Sequence, residues 1–124
     1  MSKRDNKIIG DGGERLAEAY FISKGYRILN KNYRTDIGEI DLIVTNETDL
    51  VFAEVKTRSG LGYGYPAEAV TFSKRKKISQ VAAQYIKRFR LYDVPVRFDV
   101  VEVFIQSGEI NHIEDAFDSY LKYC

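Results

Sequence analysis

Two short segments carry the residues most able to act together: Gly38-Glu39-Ile40-Asp41-Leu42-Ile43 and Phe52-Ala53-Glu54-Val55-Lys56. Both read as strands, and in a strand residues i and i+2 share a face. Glu39 and Asp41 then point one way, as do Glu54 and Lys56, while Ile40, Leu42, Ala53 and Val55 point the other. The polar stretch Thr45-Asn46-Glu47-Thr48-Asp49 reads as a hairpin loop. Pairing through it brings Asp41 close to Glu54 across the sheet. Two half-buried carboxylates side by side repel and need a countercharge, for which a divalent cation is the natural choice. The plainer alternative is a solvent-facing strand with a cross-strand Glu–Lys pair, worth about 0.2–1 kcal/mol. The apolar flanks, and a polar set made of acid, acid and lysine, favour the metal site.

The type of metal follows from what is missing. The chain has one cysteine, Cys124, and one histidine, His112. These can form neither an internal disulfide nor an ordinary zinc site. A Cys–His nucleophilic pair would rest on a terminal residue that is poorly held. His112 reads as structural. Oxygen ligands remain, and they suit Mg²⁺ or Mn²⁺. Phosphodiester hydrolysis needs an activated water and a Lewis acid on the phosphoryl oxygen, and a carboxylate-held metal supplies both. A neighbouring lysine orients the water or stabilises developing charge.

Net charge is +1, but it is unevenly spread. Between Thr71 and Arg90 stand Lys74, Arg75, Lys76, Lys77, Lys87, Arg88 and Arg90, with no acid among them. Ser73 is a plausible N-cap, which puts the first four of these cations in the opening turn of a helix. That opposes the helix dipole unless an anion arrives. A basic block apart from an acidic cluster fits a protein that touches phosphate and holds a cation. Arg34 and Arg58 flank the acids and are candidate phosphate contacts. Taken singly, the helix lysines read equally as a solvated surface face, and Arg34 and Arg58 read more simply as surface salt-bridge partners. Tyr63 and Tyr65 lie in a glycine-rich loop, where they suit base stacking or plain loop packing.

The elements that must position these residues are legible from periodicity. The chain of 124 residues, 44% hydrophobic and 30% charged with two prolines, suits a single folded domain over 1–124. Residues 1–10 are expected to be flexible, and Gly10-Asp11-Gly12-Gly13 to be a loose lead-in. A helix is expected from Glu14 to Lys24, with Leu16, Ala17, Tyr20 and Phe21 on one face and Gly25 as its stop. Tyr26–Arg34, Glu39–Val44 and Leu50–Lys56 form an antiparallel meander, followed by a mobile loop from Ser59 to Pro66. Ile78, Val81, Ala82, Tyr85 and Phe89 mark an amphipathic helix from Ser73 to Arg90. Val96–Ile105 is apolar on both faces and so central, and the helical crossover before it makes it parallel to an earlier strand. Ile110–Glu114 closes the sheet as an edge strand. The fold class is α/β: a mixed sheet between helices in the order αβββαββ.

Asp41 followed after a hairpin by Glu54-Val55-Lys56 resembles the PD-(D/E)xK nuclease superfamily. Gly13-Glu14, Asn32-Tyr33-Arg34, Gly38 to Ile43, Phe52 to Arg58, Ala69-Val70, Lys76 and Arg97-Phe98-Asp99-Val100 together resemble the YraN family of small bacterial proteins. The resemblance spans Gly12 to Phe117, and within the superfamily it is most similar to archaeal Holliday-junction resolvases. It implies a restriction-endonuclease-like fold, with Asp41, Glu54 and the Val55 carbonyl as ligands to Mg²⁺ or Mn²⁺. It also implies that Glu14 is an added helix acid at the metal and that Lys56 acts on the attacking water. Two features depart from the superfamily pattern. Ile40 stands where the proline would be, and Gln80 and Tyr85 are one residue too far apart for a Gln-x-x-x-Tyr motif.

The expected function is therefore a divalent-metal-dependent endonuclease acting on DNA, branched or damaged DNA in particular. Arg34, Arg58, Lys74, Lys76 and Lys77 are its candidate nucleic-acid contacts. A homodimer would be needed for symmetric cleavage of a junction. The alternatives are a non-catalytic nucleic-acid-binding module and a protein-interaction domain. No apolar run approaches the length that spans a bilayer, and the polar start does not resemble a secretory signal, so a cytoplasmic location without membrane contact is expected.

Overall fold

A computed structural model describes the backbone of residues 3–58 and 70–118, and the side chains of 12–58 and 70–118. The expected glycine loop with Tyr63 and Tyr65, as well as Ala69 and Cys124, lies outside the described residues. The elements are α1 (Lys3–Ser23), β1 (Arg27–Arg34), β2 (Glu39–Thr45), β3 (Leu50–Arg58), α2 (Phe72–Phe89), β4 (Val96–Phe104) and β5 (Ile110–Ile113). They build one five-stranded mixed sheet in the order β1-β2-β3-β4-β5. The β1-β2-β3 meander is antiparallel, β4 runs parallel to β3, and β5 pairs antiparallel with β4. No described helix is long and apolar enough to cross a membrane.

The sheet is covered on both faces. Phe52, Phe98 and Val100 pack on one side with Ile78, Val81, Ala82 and Tyr85 of α2. Val51, Ala53, Val101 and Val103 pack on the other with Ala17 and Phe21 of α1. This explains why β4 carries apolar residues on both its faces, with Asp99 and Glu102 buried among them: both faces are removed from water. Burying each large side chain contributes about 1.5–3 kcal/mol relative to exposure, so the two helices and the central strands stabilise one another.

Three local features differ from the sequence expectation. The first is the start of α1, which begins at Lys3 rather than Glu14 and runs through the glycines. Glycine costs helix stability, yet Gly13 has a packing reason to be there. A Cβ at this position would collide with Thr57 Oγ1 on β3. The second is the cap of α2, which is Thr71 rather than Ser73. Thr71 has the extended backbone of a cap, and its hydroxyl accepts the Lys74 N–H at 3.2 Å. Ser73 falls inside the first turn. The third is the facing of β2: Ile40 packs with the α2-side cluster and Leu42 with the α1-side cluster, so the two do not share a face. On the paired strand, Asn32 adopts a left-handed conformation (φ 51°) at the level of Asp41, and the simple alternation of β2 breaks there.

The close approach of α1 to β3 gives a test of inverted sign. Gly→Ala within a helix ordinarily stabilises by about 1 kcal/mol. Gly13→Ala should instead destabilise by about 1–3 kcal/mol, the usual cost of overpacking. Adding Thr57→Ala should recover part of that loss in denaturant unfolding. Additive losses in the double variant would refute the contact.

Candidate metal and phosphate site

The site grows from the place where two strands part. The β2–β3 ladder runs from Thr45–Leu50 to Leu42–Ala53 and ends there. The next positions in that register are Asp41 and Glu54. The Asp41 side chain takes over from the missing ladder bond: its Oδ2 accepts the Val55 N–H at 2.8 Å. Val55 is thus tied to the site through its backbone. Glu54 is held by the continuous β3–β4 ladder, where it lies opposite Val100. Asp41 and Glu54 open onto a cleft of about 300 Å³ that Glu39, Lys74 and Lys77 also line. The expectation that the hairpin would bring Asp41 to Glu54 agrees with this geometry.

The electrostatics follow from burial. Removal from water, together with the adjacent Glu54 carboxylate, pushes the Asp41 pKa up from 3.8 to about 7, against the Val55 N–H, which favours the charged form. Glu14 adds a smaller repulsion. Lys74, from the first turn of α2, forms an ion pair with Glu54. Burial disfavours the Lys74 ammonium, but the Glu54 and Asp41 charges outweigh that, and its pKa is raised. The acidic donor set is oxygen-only, which suits a hard divalent cation. Asp41, Glu54 and the Val55 carbonyl are the groups that would hold it. Among the described residues, no group of three His, Cys, Asp or Glu side chains is gathered closely enough to hold a cation as it stands.

Glu14 approaches from the opposite side of the sheet to α2. Its Oε2 accepts a 3.4 Å hydrogen bond from Asn32 Nδ2, and it lines a separate cleft of about 160 Å³ with Glu18, Lys31 and Asn32. Lys56 is half-buried on β3, opposite Glu102 and beside Lys74. Lys76 and Lys77 are exposed on the start of α2. Arg34 is engaged in a cross-strand pair with Glu39 at 2.7 Å. Arg58 bonds Glu102 at 3.3 Å, and Asn111 donates to the other oxygen of that buried acid at 2.7 Å. His112 lies away from the acids, bonded to Asp99 at 2.6 Å and Tyr20 at 2.9 Å.

Sequence reasoning misses three features of this arrangement. Asn32 reaches Glu14 from a left-handed backbone, and the only sequence hint is that Asn tolerates that conformation better than most residues. Glu102 braces Arg58, and its signal is an acid between Val101 and Val103 in a strand rich in apolar residues. Lys74 belongs by spacing with the outward phosphate contacts, yet it sits on Glu54; position within α2 does not show how the helix lies against β3.

Fold and site together define an α/β protein with an acidic pair at the fork of a mixed sheet and a basic helix start beside it. The family model described as Uncharacterised protein family UPF0102 matches residues 13–103. The chain belongs to that family. A UPF0102 protein of Clostridioides difficile is 52% identical over 113 residues, covering 91% of this chain and 99% of the relative. One from Caldanaerobacter subterraneus is 42% identical over 122 residues, covering 94% and 100%. One from Rhodococcus opacus is 46% identical over 115 residues, covering 90% and 98%. Among solved structures, Pyrococcus furiosus SfsA in complex with Ca²⁺ aligns with a TM-score of 0.34 and 17% identity, over 91% of this chain and 65% of that one.

The raised pKa of Asp41 gives a signed pH dependence. Below pH 3.8 both folded and unfolded chains hold the proton. From there to about pH 7 only the folded chain does, so the Asp41 contribution becomes progressively destabilising as pH rises. In metal-free buffer, Asp41→Asn should therefore gain stability over the parent as pH rises from about 4 to about 8. The Asn side-chain oxygen still accepts the Val55 N–H. A constant difference across that range, by urea unfolding, would contradict the buried, repelled carboxylate.

Proposed function

We propose that the protein is a divalent-metal-dependent nuclease of the PD-(D/E)xK kind, with a restriction-endonuclease-like fold and DNA as its substrate. The observation that carries this reading is the pair Asp41 and Glu54 at the β2–β3 fork, with Lys56 two residues on and the start of α2 across the cleft. Mg²⁺ or Mn²⁺ is the implied cofactor, and when bound it supplies charge neutralisation and polarisation of the phosphoryl oxygen. Asp41 and Glu54 would hold the cation. The Val55 N–H orients Asp41 so that one carboxylate oxygen is committed to the backbone and the carboxyl group cannot rotate freely. Lys56, carried on the same strand as Glu54, places an ammonium where it orients the attacking water or offsets charge developing on the phosphate. Lys76 and Lys77 supply cations for the flanking phosphates at a helix start that favours anions. Branched DNA is the preferred substrate class, by the resemblance to junction resolvases.

The roles divide cleanly enough to test. Incubation with duplex, single-stranded, flap and four-way DNA in Mg²⁺ or Mn²⁺ should give strand cleavage by the parent. Lys56→Ala should bind Mn²⁺ as the parent does in calorimetry while losing cleavage by at least about 100-fold, the usual scale for a positioned catalytic group. Asp41→Ala and Glu54→Ala should lose both. Cleavage by Lys56→Ala at the parental rate would remove this lysine from the mechanism. Metal-independent DNA binding without cleavage by the parent would favour a binding module instead.

The basic helix start makes a separate prediction. Lys76→Glu with Lys77→Glu should weaken DNA binding and lower the slope of log affinity against log salt by about 0.9 for each phosphate these lysines neutralise. An unchanged slope would make these lysines solvated decoration.

A further inference from the structure

We propose that Lys74 is a resident countercation that occupies the acidic pair when no divalent metal is bound, and that it is released toward substrate phosphate when metal enters. The inference rests on the reading of Asp41 and Glu54 as metal ligands and adds a coupling between metal and nucleic acid.

Three observations carry it. Lys74 Nζ is ion-paired with Glu54 Oε1, so the ammonium stands against a carboxylate the cation would need. The two partners differ in access: the Glu54 side chain is 7% exposed and the Lys74 side chain 43%. Glu54 is held in the sheet, while Lys74 is a long, rotatable side chain with an open route into the cleft that Lys77 also lines. Finally, the backbone of Lys74 is fixed. Its N–H is bonded to the cap hydroxyl of Thr71, so departure of the ammonium from Glu54 is a side-chain movement that leaves the helix in place.

The consequences follow from charge. A divalent cation and the Lys74 ammonium cannot both lie against Glu54 without strong repulsion. Metal must displace the lysine, and the lysine lowers the apparent affinity for metal. Once displaced, the ammonium joins Lys76 and Lys77 at the start of α2, where the first turn carries no acid. Metal binding then adds a cation to the phosphate-binding surface, and phosphate binding, by holding Lys74 away, favours metal. Linkage requires the two effects to be equal in size. The device would keep the site charge-neutralised until metal and substrate are both present.

The test uses Mn²⁺ calorimetry and DNA binding by the full chain in the parent, Lys74→Gln and Lys74→Arg. In the absence of DNA, Lys74→Gln should bind Mn²⁺ about tenfold more tightly than the parent, within the roughly 5–150-fold range of site–site couplings. Lys74→Arg keeps the cation and should not gain affinity. In the parent, Mn²⁺ should tighten the binding of a non-cleaved phosphorothioate duplex more than it does in Lys74→Gln. Equal or weaker Mn²⁺ binding by a folded Lys74→Gln would overturn the countercation role while leaving the metal site standing. Failure of the parent to bind Mn²⁺ at all, with or without DNA, would overturn the metal site and this inference with it. Should Lys74→Gln fail to fold, an unchanged Mn²⁺-linked gain in DNA affinity between the parent and Lys74→Arg supports the cation's role. Loss of that gain in Lys74→Arg overturns it.

Discussion

Two carboxylates that share one half-buried cleft set the terms for the rest of the molecule. Asp41 and Glu54 repel each other, and burial makes that repulsion strong. The chain offsets it with what it has: the Val55 N–H to Asp41 and the Lys74 ammonium to Glu54. Neither partner is surplus. One is a backbone donor left unpaired by the end of the β2–β3 ladder, and the other is brought by a helix from the far side of a crossover. An arrangement that needs countercharge from two separate elements is an unfavourable way to build ordinary surface structure. It is well suited to a place that exchanges one cation for another.

The fold brings those elements together by its connections. The parallel β3–β4 pair forces a crossover, and α2 supplies it by running back along one face. The start of α2 therefore lies at the C-terminal end of β3, the end where open α/β sheets place their ligands. On the other face α1 packs through Ala17 and Phe21, and its Gly13 touches Thr57 near that same end. The middle of α1, at Gly13, and the first turn of α2, at Lys74, thus meet the segment from Glu54 to Thr57 from opposite faces. The apolar clusters beneath hold this convergence rigid, while the far end of the sheet is fastened by Arg97, which bonds Asp99 at 2.8 Å and Tyr26 at 2.6 Å. Burial raises the Asp99 pKa, but its bonds to His112, Arg97 and the Asp115 N–H outweigh that and leave it lowered. That is the opposite outcome to Asp41, another carboxylate withdrawn from water.

Much of this is legible in the sequence because it depends on short periods. The three-strand meander, the amphipathic α2 and the apolar-rich β4 follow from spacing alone, and so does the meeting of Asp41 with Glu54 once the hairpin is placed. What stays hidden depends on how elements approach one another. Gly13 looks like a helix breaker until Thr57 is seen against it. Ile40 obeys alternation on paper, yet it packs with the α2-side cluster while Leu42 packs with the α1-side one. Thr71 and Ser73 are both fit to cap, and the extended backbone at Thr71 itself selects it. Lys74 and Lys77 look alike in a run of basic residues. Their different fates, one on Glu54 and one exposed at the cleft, are set by the rotation of α2 on the sheet.

On the proposed function, the fork between β2 and β3 is a cation site. Paramagnetic broadening of backbone amide signals by substoichiometric Mn²⁺ addresses it residue by residue, because the effect falls steeply with distance from the ion. Asp41, Glu54, Val55 and Lys56 should lose intensity first, while the amides around Arg97 and Asp99 stay untouched. Broadening centred on other acids such as Glu109 and Glu114, or none at all, would contradict it.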